Sequence, residues 1–159
     1  MNSKQLLKRL QAEAALYSVD ALEREYHELC AADPDPSADD YIAILNRRYN
    51  AETMLNLLKH SEKFYGDELN PLLIQRFEDQ INQYMDRCAP GEESLKSFIR
   101  ILNTYRAFVA KIPLHPPGMS FSEGKVYQKG NDYYCTAKRL FMNDKGSLCR
   151  FCPARLSEY

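Results

Sequence analysis

Apolar residues recur every three or four positions from the N-terminus to about residue 112, and this spacing predicts helices. In VDALEREYHELC the apolar side chains fall on one face, and Asp20 and Glu23 are spaced as a capping box. A further helix is predicted over 38–64. The first part of the chain therefore indicates consecutive amphipathic helices.

Two more amphipathic helices follow. ELNPLLIQRFEDQINQYMDRC begins with Asn70 as the expected cap and Pro71 at the first helical position. ESLKSFIRILNTYRAFVAKI places its apolar side chains on one stripe. Helices with one apolar face can bury that face only against one another, so the pattern predicts a mainly α fold, a bundle of four to five helices over 1–112.

The sequence pattern changes at Pro113. Residues 113–159 contain four of the eight prolines and four of the six glycines, and they have no sustained helical period. KVYQKGNDYYC predicts a short β-hairpin that turns at Gly130 and Asn131. An irregular segment buries little apolar surface, so we expect a bound metal to order it and to pack it on the bundle as one compact unit.

Three of the five cysteines lie in this C-terminal segment. Cys149 and Cys152 form a C-x2-C pair, whose two sulfurs can reach one ion from a single turn. Cys135 can supply a third sulfur, and His115, the only histidine of the segment, a fourth ligand. A closed Cys3His set is typical of structural zinc, because no position remains for water or substrate.

Three alternatives compete with zinc. An iron–sulfur cluster would recruit Cys88 as a fourth thiolate, and CRFCP has the Cys-Pro ending of some cluster-binding runs. A redox CxxC usually stands in a βαβ pattern, which this sequence lacks. The thiols could also be buried without any ligand. Cys30 and Cys88 lie on apolar helix stripes and are predicted to be buried as small hydrophobes.

The net charge of −1 hides an asymmetry between the two parts of the chain. Residues 1–112 carry 14 Lys and Arg against 18 Asp and Glu, whereas residues 113–159 carry 7 against 4. This excess is smaller than the dense basic stripe of most nucleic-acid binders, but basic and aromatic residues alternate there, so nucleic-acid binding is an alternative function. The candidate contacts are Lys138, Arg139, Lys145, Arg150 and Arg155.

No apolar run is long enough to cross a bilayer, so we expect a cytoplasmic protein without a membrane partner. The sequence contains no phosphate-binding glycine loop and no HExxH motif, and its local motifs do not indicate an enzyme. The expected function is a metal-binding module that recognises a protein partner or a small ligand. An iron–sulfur or metal-dependent redox protein is the alternative.

KIPLHPPGMSFSEGKV, DYYCTAK and SLCRFC together resemble the C-terminal signature of an uncharacterised protein family from methanogenic archaea. In that family a helical region precedes a His-Pro-x-Gly-Met segment and three cysteines. The sequence departs from the family pattern at Ser122, Glu123 and Thr136, and every proposed ligand is retained. The resemblance implies no activity, but an anaerobic cytoplasm would favour an iron–sulfur cluster.

Overall fold

The fold begins with consecutive helices in a computed structural model that describes residues 1–61 and 66–157. The predicted helix over 38–64 is shorter in the structure, and positions 62–64 lie outside the described residues. The helices are α1 Ser3–Ala14, α2 Val19–Ala32, α3 Tyr41–Lys59, α4 Pro71–Cys88 and α5 Glu93–Tyr105. A π-helical turn, Arg106–Ala110, continues α5.

The starts of α2 and α4 follow local capping chemistry. The prediction for α4 is confirmed, because the Asn70 side chain accepts a backbone N–H at 3.0 Å and Pro71 is the first helical residue. The predicted start of α2 is wrong by two residues. Ser18 is the cap, since its hydroxyl accepts a first-turn N–H at 3.2 Å, and Asp20 lies inside the helix.

The helices bury one shared apolar core, as the amphipathic pattern predicts. α2 packs along α3, α4 packs along α5, and α1 contacts both α3 and α5. The mainly α fold class is therefore confirmed. Fully buried core side chains include Leu6, Leu10, Met54, Phe77, Ile81 and Leu102.

Cys30 and Cys88 are exposed, so the prediction that they are buried is wrong. α2 buries Leu29, and Cys30 is turned about 100° away from it around the helix. Cys88 is the last residue of α4, beyond Met85, the last side chain that this helix buries. The apolar stripe was extended in each case to a residue past the edge of the core.

The predicted hairpin is confirmed within the C-terminal segment. The elements of this segment are β1 Ser120–Phe121, β2 Gly124–Lys129, β3 Asp132–Cys135, α6 Lys138–Phe141, a 3₁₀ turn Cys149–Phe151 and β4 Arg155–Leu156. β2 and β3 pair antiparallel around Gly130, whose φ of 64° is the left-handed conformation such a turn requires. Among the described residues, β1 and β4 complete a four-stranded sheet, with β4 parallel to β3.

Across residues 1–61 and 66–157, no helix combines the length and the apolar character that a membrane crossing requires.

Candidate metal and ligand site

A cavity of about 600 Å³ lies between the helices and the C-terminal segment. The helical side of its wall comes from α3, α4, α5 and the π-helical turn. The other side contains all four of the predicted metal ligands, whereas Cys30 and Cys88 do not line it. The predicted ligands in the wall are His115, Cys135, Cys149 and Cys152.

Local structure positions the three cysteines. Cys135 is the last residue of β3, where it pairs with Val126 and is 8% exposed. Cys149 and Cys152 bracket the 3₁₀ turn, which the Cys152 N–H closes by donating to the Cys149 carbonyl at 3.2 Å. The C-x2-C pair thus occupies the single tight turn that its spacing predicts.

The backbone of Leu114 connects the two sides of the cavity. Its N–H donates to Cys152 Sγ at 3.5 Å, and its carbonyl accepts from Arg106 Nη1 at 3.5 Å. His115 follows immediately, with its ring centroid 5.8 Å from that of Phe121. The segment that carries the histidine is therefore held between a cysteine and a helical arginine.

Burial favours the neutral forms of two predicted ligands. Desolvation raises the pKa of Cys152, although N–H donors from Leu114 and Ala154 partly oppose it. His115 is exposed overall, yet the protein packed around its ring, and then the charge of Arg106, lower its pKa below 6.5. A neutral imidazole can coordinate a metal at neutral pH, whereas the thiol must first lose its proton.

The four side chains share one cavity without forming a coordination shell. Among the described residues, no group of three or more His, Cys, Asp and Glu side chains has an arrangement that could hold a metal ion. The donor types nonetheless fit zinc, since three sulfurs and one imidazole nitrogen are a common tetrahedral set. Binding of a zinc ion would require these four side chains to move closer together.

Arg106 is a cavity residue that sequence reasoning missed. It is 3% exposed at the start of the π-helical turn, and its guanidinium lies 4.1 Å from the centroid of the Tyr49 ring. The available signal was its setting, a single charge followed by the apolar run of 107–109. π-Helical turns are frequent at functional sites, which adds to the interest of this position.

Three of the five predicted nucleic-acid contacts are engaged within the chain. Lys138 Nζ donates to two backbone carbonyl oxygens at 2.6 and 2.7 Å. Arg155 pairs with Asp132 at 3.1 Å, and the Arg150 guanidinium lies 4.7 Å from the centroid of the Phe151 ring. The two remaining basic residues are the exposed Arg139 and Lys145. Nucleic-acid binding by these residues therefore stays a prediction, in which Lys138, Arg150 and Arg155 would also keep their contacts within the segment.

Fold and cavity together define a helical protein with a small C-terminal sheet and a cavity lined by cysteine, histidine and arginine. The chain belongs to a family described as "Uncharacterized protein conserved in archaea (DUF2115)", whose model matches residues 2–157. The resemblance to a family from methanogenic archaea is thereby confirmed.

Relatives from methanogens share this sequence to different extents. UPF0305 protein MJ0646 of Methanocaldococcus jannaschii is 29% identical over 159 residues, which cover 98% of this chain and 96% of that protein. A UPF0305 protein of Methanothermobacter thermautotrophicus is 32% identical over 97 residues, covering 60% of this chain and 59% of its own length. No solved structure matches this chain.

Proposed function

We propose that this protein binds zinc through His115, Cys135, Cys149 and Cys152, and that the metal holds the C-terminal segment together beside a ligand-binding cavity. The observation that carries the proposal is the position of all four side chains in the wall of one cavity. Three come from the strand and the turn of the segment, and His115 comes from the loop that enters it.

The contrast with the other cysteines supports His115 as the fourth ligand. Cys88, which a four-thiolate cluster would recruit, is exposed at the end of α4 and does not line the cavity. Metal binding would also supply what the segment lacks in regular structure, since its strands have two to six residues and its helix four. A closed four-ligand site of this kind stabilises a fold and performs no chemistry.

Metal analysis of the full chain tests the proposal. We expect protein purified without added metal to contain about one zinc ion per chain and to be colourless. Cys149→Ser should lose that zinc, and His115→Ala should weaken its binding. The control is Cys30→Ser combined with Cys88→Ser, which removes two exposed thiols and should leave the zinc content unchanged.

Two results would overturn this function. A brown protein that contains iron and inorganic sulfide would replace zinc with an iron–sulfur cluster. Protein that is free of metal, folded, and no more stable when zinc is added would remove the structural role altogether, because a ligand that binds only the folded state must raise its stability.

A further inference from the structure

Arg106 is a buried charge that forms no salt bridge with any described carboxylate, and the charge of Glu52 acts on it only from beyond salt-bridge distance. Its Nε donates to Thr53 Oγ1 at 3.0 Å, its Nη2 to Asn50 Oδ1 at 3.0 Å, and its Nη1 to Asn103 Oδ1 at 3.2 Å. In the described part of the chain, no carboxylate forms a salt bridge with it. Every side chain that this guanidinium bonds is therefore neutral.

Keeping this charge in the cavity wall is costly. An ion removed from water loses its hydration energy, which an opposite charge normally offsets. Burial lowers the pKa of Arg106 to about 10, so the group remains protonated at neutral pH. Such a charge attracts an anion more strongly than an exposed arginine does, because little water remains to screen it.

The amides beside Arg106 present donors rather than acceptors. Asn50 and Asn103 both direct their oxygens to the guanidinium, which leaves their NH2 groups to donate elsewhere. Asn103 uses one of these hydrogens on the Ile99 carbonyl at 3.0 Å. Gln80 Nε2, in the same cavity wall, is a buried donor for which the described residues provide no acceptor. The three amide side chains Asn50, Asn103 and Gln80 therefore give this part of the wall N–H donors that the guanidinium does not use.

The charged residues that line the cavity also favour an anionic ligand. Its lining includes two cations, Arg106 and Lys138, and no Asp or Glu among the described residues. With zinc bound to three thiolates and a neutral imidazole, the metal site would carry a charge of about −1, and the wall as a whole about +1. With the metal absent and the thiols protonated, the wall is more positive. An anion is favoured in either state.

Much of the remaining wall is apolar, with Met85, Leu95, Ile99, Met119 and Val126 among its residues. A volume of about 600 Å³ falls within the range of small-molecule sites. After its bonds to Thr53, Asn103, Asn50 and the Leu114 carbonyl, Arg106 retains one free N–H, on Nη2. This donor, one surplus positive charge and an apolar remainder match a small monoanion with an apolar body.

We propose that the cavity binds a small organic carboxylate, whose two oxygens accept hydrogen bonds from Arg106 and the neighbouring asparagine amides and whose body lies against the apolar wall. This inference deepens the ligand-binding part of the proposed function and does not depend on zinc. Substituting Arg106 itself would leave Thr53, Asn50 and Asn103 without their shared donor and could unfold the chain.

Asn50→Asp offers a sharper test, because it gives Arg106 an internal carboxylate of almost the same size as the amide. We expect this variant to bind carboxylates about tenfold or more weakly, since the site is already occupied by its own anion. Its Tm should rise by about 2–4 °C, since a buried cation gains a counter-charge. The control is Asn56→Asp, which adds the same charge at an exposed position of α3 and should change neither quantity.

The measurement is isothermal titration of the full chain with straight-chain carboxylates from acetate to octanoate, each paired with its primary amide, and with inorganic phosphate. We expect the carboxylates to bind about tenfold or more tightly than the amides. If acid and amide bind equally, the proposal that the ligand is an anion is wrong, but the cavity still binds ligands. If phosphate binds and no carboxylate does, the proposal that the ligand is a carboxylate is wrong. Failure of every probe would overturn both this inference and the ligand-binding function, whereas the zinc content is measured separately.

Discussion

Glu78 places a negative charge in the core between α1, α4 and α5, where it is 5% exposed. One of its oxygens accepts from Arg9, and the other accepts from Arg100 Nη1 at 2.9 Å. Arg100 also pairs with Glu13 at 2.8 Å. The four side chains form a closed ionic network, so the buried carboxylate is satisfied by two opposite charges, in contrast to Arg106.

Glu78→Gln should destabilise the protein by about 2–4 kcal/mol, because the arginines lose their buried counter-charge while the shape of the side chain is kept. Glu25→Gln is the matched control. Glu25 pairs with Arg47 at the surface at 3.2 Å, and its loss should cost less than about 1 kcal/mol. Urea denaturation measures both free energies of unfolding. Equal costs would mean that the buried network contributes no more than a surface pair.

The environment of His60 predicts that the free energy of unfolding depends on pH. Its Nδ1 lies 2.8 Å from the Tyr105 hydroxyl, and burial lowers its pKa below the ordinary 6.5. Because the unfolded chain then binds more protons, the contribution of His60 is complete above pH 6.5 and is lost as the pH falls below it. In His60→Gln, we expect stability to fall less steeply between about pH 6.5 and pH 5. Urea denaturation across this range checks the slope, and an unchanged slope would contradict the assignment.

At the scale of elements, α5 changes its winding where it meets the cavity. The Lys111 N–H donates to the Arg106 carbonyl, a π-type bond, and Lys111 then ends the helix in the left-handed region with a φ of 56°. The Ile112 N–H donates to the same carbonyl at 3.1 Å. The π-helical turn begins at Arg106, whose buried side chain lines the cavity. The irregular end of α5 is therefore part of the cavity wall.

The C-terminal sheet contains a position that only glycine fits. A Cβ at Gly124 would lie 2.2 Å from Thr136 Oγ1 and 2.9 Å from the Ala137 nitrogen. Thr136 Oγ1 cannot retreat freely, because it accepts the Lys125 N–H at 2.9 Å. Gly124→Ala should therefore cost about 3 kcal/mol, because overpacking adds to the backbone strain of a side chain at the positive φ of 159° found there.

Gly130→Ala separates these two contributions. Gly130 also has a positive φ, but a Cβ there would meet nothing within 4 Å, so the substitution should cost only the strain, about 1 kcal/mol. Thermal unfolding of the two variants, with hydrogen exchange of the β2 and β3 amides, measures the difference. Similar costs would show that the contact with Thr136 relaxes easily.

For the molecule as a whole, three phenylalanines join the helices to the C-terminal segment. The ring centroid of Phe77, in α4, lies 5.2 Å from the ring centroids of both Phe108 and Phe151, and the rings meet edge to face in each case. Phe151 belongs to the 3₁₀ turn between Cys149 and Cys152, so its packing sets where the cysteine pair stands against the helices.

Phe151→Ala should lower the free energy of unfolding by about 2–3 kcal/mol, since a partly buried ring is lost. It should also weaken the proposed zinc binding, because the cysteine pair loses its anchor. Leu140→Ala, at a side chain of the same segment that is 64% exposed, is the control and should cost less than about 0.5 kcal/mol. Urea denaturation and competition with a zinc chelator measure the two effects. Loss of stability with unchanged zinc affinity would separate the anchor from the metal site.

The sequence by itself determined what depends on near neighbours. Apolar spacing and the pair Asn70 and Pro71 predicted the helices, and the turn at Gly130 predicted the hairpin, because capping bonds and turn conformations involve residues a few positions apart. That the four predicted ligands form one metal site was a hypothesis at that level and stays a prediction.

Tertiary structure decided which side chains the core covers. Periodicity assigns a residue to a face but does not say where the covered face ends, so Cys30 was misplaced around its helix and Cys88 beyond the covered part of its helix. The same limit hid Arg106, since its burial depends on Thr53, Asn50 and Tyr49 from α3, more than 50 residues away in the chain. A buried charge and the cavity beside it are properties of helix packing, which no local pattern encodes.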